Sequence, residues 1–217
     1  MLLKALLIAS PFLFGSDPLD DDADRLARLR DDVDRGRATT REVLIDPRYA
    51  DLHAEDAFRG LIRRHPPVGK IRIVGESEPG TPLEIDGVVS GSAGEPVPGA
   101  LVYVYQTDEK GEYGVDSRHA RIFGYVKTDS EGRFSVRTIR PAGYPGETIP
   151  QHVHFEVYAS GFATLVTEIL FEDDPRLDAE GRRFAENGGY PIVTPEHGKD
   201  GALRAACSFV LTPRRTS

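Results

Sequence analysis

From Thr81 onward, apolar residues fall at alternate positions in short runs broken by Gly, Pro, Asp and Ser, which is the pattern of half-buried strands joined by turns. The runs are LEIDGVVSG, ALVYVYQTD, IFGYVKTD, RFSVRTI, HVHFEVYA, ATLVTEILF and CSFVLTP, with SAGEPVPG, DEKGEY and DSEGR among the turns. Seven such strands predict two stacked sheets, so residues 80–217 read as an all-β domain with a β-sandwich core. The preceding stretch has a different texture. In DPLDDDADRLARLRDDVDRGR, Leu26, Leu29 and Val33 recur at helical spacing behind a crowd of acids, and DAFRGLIRR predicts a second helical turn that HPPVG ends. Residues 17–79 are therefore expected to form an N-terminal extension of short helices. Residues 1–16, MLLKALLIASPFLFGS, read as a secretion signal with one cation before an apolar run. The expectation is an exported protein with no membrane segment after signal removal. The alternative is a buried N-terminal strand or helix in a cytoplasmic protein.

Composition narrows the functional classes. The formal charge is −8 and no basic run occurs, which argues against nucleic acid or an anionic membrane as partner. GxGxxG and P-loop patterns are absent, which removes most of the case for a nucleotide cofactor. The one cysteine, Cys207, excludes an intrachain disulfide and a multi-cysteine zinc cage, and its apolar surroundings predict a buried strand residue. A homo-oligomer is left open.

The chemistry is concentrated around TIRPAGYPGETIPQHVHFEV, Thr138 to Val157. In a strand, His152, His154 and Glu156 share one face while Val153, Phe155 and Val157 share the other. Two imidazoles in H-x-H register can serve adjacent positions on one metal ion. The polar candidates to complete its sphere are Tyr144 in PAGYPG, Tyr113 in EKGEYG, and Glu156. Phenolate is a hard anionic donor, and two phenolates beside two imidazoles suit ferric iron better than zinc or magnesium.

These segments, taken in order from about Glu78 to Asp174, resemble the intradiol ring-cleavage dioxygenases, the protocatechuate 3,4-dioxygenase and catechol 1,2-dioxygenase group. The resemblance implies one Fe(III) per chain, with Tyr113 and His154 as equatorial ligands and Tyr144 and His152 as axial ones. It also implies cleavage of a small aromatic diol by O2 to a muconate-type diacid, with Tyr144 as a displaceable base. Two positions depart from the family pattern. Ile149 stands where an arginine is common three residues before the first ligand histidine, and Glu168 stands where a glutamine is common in the following strand. Glu168 is accordingly expected beside the substrate as a catalytic group, and Arg140 or Arg121 is a candidate to supply the missing cation. Two other readings compete. One is a non-catalytic module like the transthyretin-like or carboxypeptidase-regulatory domains, whose motif is mostly turn chemistry. The other is a metal hydrolase using H-x-H with Glu156 or Glu168.

Overall fold

The computed structural model describes residues 21–114 and 119–214. The expected leader, residues 1–16, lies outside the described residues. Three α-helices and a 3₁₀ segment come first. Helix α1 (Asp22–Asp34) is capped by Asp21, α2 (Thr40–Ile45) by a reciprocal Thr39–Glu42 capping box, and a 3₁₀ segment (Pro47–Ala54) leads into α3 (Asp56–Arg64). No described helix is long and apolar enough to cross a membrane.

The strands are β1 (Lys70–Arg72), β2 (Pro82–Gly91), β3 (Leu101–Gln106), β4 (Ile122–Lys127), β5 (Arg133–Ile139), β6 (His152–Tyr158), β7 (Leu165–Phe171), β8 (Ile192–Val193), β9 (Glu196–His197) and β10 (Leu203–Leu211), with α4 (Ala179–Gly188) between β7 and β8. Among the described residues they form two five-stranded sheets, ordered β1-β5-β2-β10-β9 and β4-β3-β6-β7-β8. The expected sandwich is present, and all seven predicted runs are strands. The pairing is mixed rather than purely antiparallel, because β10 runs parallel to β2 over nine residue pairs from Leu203↔Leu83 to Leu211↔Gly91. Strand β1 also joins the first sheet, parallel to β5, so the sandwich starts about ten residues before the expected boundary at residue 80.

The period-2 reading of β6 decides where the core lies. Val153, Phe155 and Val157 are fully buried. Phe155 meets Phe134 and Phe209 of the opposite sheet with ring centroids 6.0 and 5.0 Å apart. Each such side chain contributes about 1.5–3 kcal/mol by leaving water. Cys207 packs in the same core, and burial pushes its thiol up to about 12, which leaves it unreactive. His152, His154 and Glu156 consequently face away from the first sheet.

The N-terminal helices cover part of that second face. Phe58 and Ile62 of α3 are fully buried, and the equally buried Phe123 lies under the Arg59 guanidinium at 3.7 Å. Arg59 is itself buried, and it donates to the carbonyls of His53 and Ala120 and, at 2.6 Å, to the Tyr103 hydroxyl. Such a buried cation is tolerated because its donors are engaged and an aromatic face covers it.

Candidate metal centre

The two tyrosines ride on loops that leave the ends of β3 and β5. Buried Gln106 ties those ends together, donating to Ile139 O at 2.9 Å and accepting from Thr138 Oγ1 at 2.9 Å. Asp108 then shapes the first loop: its Oδ1 accepts from the backbone N–H groups of Lys110 and Glu112 at 2.9 and 3.0 Å. Its carbonyl accepts from Ala142 N of the second loop at 2.9 Å. Glycines let the loops touch. Gly111 has φ +83°, and a Cβ there would lie 2.3 Å from Gly143 O. Gly143 in turn leaves room for the Arg176 guanidinium, whose Nη1 would lie 1.9 Å from a Cβ at that position.

Strand β6 supplies the other donors. At its start, buried Asp174 accepts from Gln151 N and, at 3.0 Å, from Arg176 N, pinning the β7–α4 connection to the strand. His152 Nδ1 lies 2.7 Å from Pro150 O; a carbonyl only accepts, so Nδ1 carries the proton and Nε2 the lone pair. The Tyr105 ring stacks on His154 at 4.6 Å and 15° between planes, fixing that imidazole's plane.

Four donors converge as a result. Tyr113 Oη lies 2.6 Å from Tyr144 Oη and 2.8 Å from His154 Nε2, and Tyr144 Oη lies 3.2 Å from His152 Nε2. The sequence-predicted set Tyr113, Tyr144, His152 and His154 is thus brought to one point from two loops and one strand. Two phenol oxygens and two imidazole nitrogens, all aimed inward, form a donor set that fits a hard trivalent ion such as ferric iron. Electrostatics agree. Burial and the neighbouring His152 push His154 down to about 4, so it presents a neutral imidazole at pH 7. Burial, followed by the hydrogen bond to Tyr144, raises the Tyr113 phenol above its ordinary range, so its proton must leave when a cation enters.

The remaining expected residues fall in other places. Glu156 accepts a short hydrogen bond from the Tyr158 hydroxyl and lies outside the donor cluster. Glu168, expected beside the substrate, has Oε2 3.5 Å from His154 Nδ1, on the imidazole edge opposite the phenols. His152, His154 and Glu168 can each place a ligand atom within 4.8 Å of the others, so a carboxylate-completed centre is a geometric alternative. Ile149 is 44% exposed just ahead of β6 and brings no charge. Neither candidate cation is free to replace the missing arginine. Arg140 is held by Gln151 Oε1 at 2.6 Å and Asp173 Oδ1 at 2.8 Å, over the Phe171 ring at 3.8 Å. Arg121 is paired with Glu78 at 2.7 Å. Its backbone N–H supports the Tyr113 carbonyl at 2.6 Å, and its own carbonyl lies 2.9 Å from Nδ1 of buried His53.

Residues 66–188, more than half the chain, match the dioxygenase family model. The 6-chlorohydroxyquinol 1,2-dioxygenase of Cupriavidus pinatubonensis is 33% identical over 156 residues, 62% of this chain and 55% of that protein. The chain spans about half the length of such curated relatives or less. Among solved structures, the dioxygenase domain of a carbohydrate-binding fusion protein from Streptomyces sp. SirexAA-E superposes with a TM-score of 0.54 at 27% identity, covering 68% of this chain and 90% of that one. Catechol 1,2-dioxygenase from Pseudomonas arvilla C-1 shares the fold, with a TM-score of 0.59 at 21% identity over 90% of this chain and 79% of that one. With the family model spanning the H-x-H strand and both tyrosine loops, the chain belongs to the intradiol ring-cleavage dioxygenase family.

Proposed function

We propose that this protein cleaves a small catechol-type diol between its hydroxyl-bearing carbons, using O2 and one ferric ion per chain held by Tyr113, Tyr144, His152 and His154. The observation that carries the reading is the contact chain of 2.6, 2.8 and 3.2 Å that joins two phenol oxygens to two imidazole Nε2 atoms. A β-sandwich module needs no such set, and a zinc hydrolase has no use for two phenolates. Most of the relatives are named for catechol, hydroxyquinol or chlorocatechol and one for protocatechuate, a balance that supports an uncharged aromatic diol as the substrate class. Ile149, exposed and uncharged just ahead of β6, with Arg140 and Arg121 already paired, fits that class better than a carboxylated ring.

Bound ferric iron would supply a Lewis acid that polarises a chelated diol toward attack by dioxygen. The chain's own residues divide the remaining work. His154 and Tyr113 hold the frame, the first fixed by stacking on Tyr105 and the second by the Asp108 loop and the Arg121 N–H. Tyr144, on the loop after β5 and 3.2 Å from His152, is the residue to which the family resemblance gives the role of displaceable base for a diol proton.

The test is to load the purified protein with Fe(III), measure iron per chain and the visible spectrum, and then follow O2 uptake and product absorbance with catechol and hydroxyquinol. A reddish protein with about one iron per chain and diol-dependent O2 uptake is expected, since the donor set is phenolate on Fe(III). A colourless protein that takes up no iron would sink the reading.

A further inference from the structure

Glu168 is the ionisable group next to the centre that the four-donor arrangement leaves without work. The β6–β7 register pairs His154 directly with Glu168, which puts the carboxylate beside the imidazole on the same face of the sheet. Both side chains are 22% exposed, and Oε2 lies 3.5 Å from Nδ1. The ring cannot turn freely, because Tyr105 lies flat against it. With Nε2 committed to the Tyr113 side, the Nδ1 proton is left facing Glu168.

The two histidines are therefore supported differently. His152 gives its Nδ1 proton to Pro150 O, a neutral acceptor, whereas His154 Nδ1 has a carboxylate oxygen of Glu168 3.5 Å away. A carboxylate on the far nitrogen fixes the tautomer and raises the basicity of the ligating one. In the four-donor arrangement it sits at the imidazole edge opposite the phenols, which gather at Nε2.

Resting on the ferric four-ligand reading, we propose that Glu168 is a positioning residue: its carboxylate accepts a hydrogen bond from the Nδ1–H of His154 in the metal-loaded protein and makes that imidazole the stronger nitrogen donor of the pair. It acts on the iron through His154 and does not touch the diol.

The experiment compares parent, Glu168→Gln and Glu168→Ala proteins after Fe(III) loading, with thermal unfolding to confirm that all three fold. Iron loss to a competing chelator, the position of the phenolate-to-iron band and the Fe(III)/Fe(II) midpoint are read for each. Glu168→Gln should keep about one iron per chain yet lose it to chelator about 10- to 100-fold faster, the usual range for outer-shell partners. Its band should move to longer wavelength and its midpoint upward, as a weaker nitrogen donor leaves the iron more electron-poor. Glu168→Ala should exceed Glu168→Gln in all three. Identical chelator kinetics and band positions in parent and Glu168→Gln would overturn the proposal while leaving the ferric site intact. Complete iron loss in both folded variants would make Glu168 a ligand and overturn it differently. A parent that binds no iron would remove the ferric reading and this inference together.

Discussion

The histidine pair and the tyrosine pair reach the same point by unlike routes. His152 and His154 are set by strand geometry: the register of β6 between β3 and β7 fixes their direction, and Val153 and Phe155 on the reverse face anchor the strand in the core. Each ring has its own restraint, a carbonyl at Nδ1 for one and a stacked tyrosine for the other. Tyr113 and Tyr144 sit on irregular loops held by Asp108, a pair of glycines and each other's hydroxyls. The difference teaches where rigidity and freedom lie in this centre. The strand fixes the aim of two imidazoles from the core, and the loops bring two phenol oxygens held by turns and by each other.

The comparison breaks most visibly if ligands are removed one at a time. His154→Ala and Tyr113→Phe should weaken Fe(III) binding by roughly 100-fold or more, beyond the range typical of outer-shell changes, whereas Tyr144→Phe should retain iron with a paler band and little ring cleavage. Metal analysis after dialysis against chelator separates the cases. Equal loss in all three would remove the distinction between a held and a released tyrosine.

A smaller effect is expected from Gly111→Ala, which leaves every donor in place. The new methyl would meet Gly143 O at a positive φ, so a loss of about 1–3 kcal/mol in denaturant unfolding is expected, with looser iron because the loops can no longer touch. Unchanged stability and affinity would show that the loop contact contributes nothing to the site.

The mildest test concerns pH. Burial holds His53 below its ordinary 6.5, the first cause being desolvation, so its protonation favours the unfolded chain. Stability from this group is full above pH 6.5 and is lost as pH falls below that toward the depressed folded value. Because His53 Nδ1 is bonded to Arg121 O and Arg121 N to Tyr113 O, the loss should appear as a lower melting temperature between pH 7 and pH 5 and as looser tyrosine-side packing. His53→Gln should flatten that slope. An unchanged slope would place the acid sensitivity elsewhere.

Much of this was readable from sequence, for physical reasons that also explain the gaps. Alternation along β6 marks which residues share a face, and it separated the histidines from the buried valines correctly. It does not say which residue of the next strand lies alongside; that depends on β6–β7 register, which pairs Glu168 with His154 and sets its carboxylate 3.5 Å from Nδ1. Helix α4 was passed over although Asp178 caps its start and Gly189 ends it, because Phe184 is exposed and few residues in the segment carry an apolar period. Strand β1 is three residues long, too short for any period. The parallel β2–β10 pairing joins segments some 120 residues apart and has no local signal. Buried Arg59 and His53 lie in stretches that read as ordinary amphipathic or mixed sequence, since their partners come from β3, β4 and the loops before them.

Arg59 in particular alters where this protein can be divided. Its guanidinium holds the Tyr103 hydroxyl, Tyr103 stacks on Tyr105 at 5.0 Å, and Tyr105 stacks on His154 at 4.6 Å. The helical layer is thus the far end of a column of rings whose near end is His154. A fragment cut at residue 66, where the family match begins, would retain every donor atom and still lose the clamp on that column. The helices and the sandwich are thus joined by packing that reaches from Arg59 to His154, and a graft of these four donors that left out α3 would lose the far end of that column.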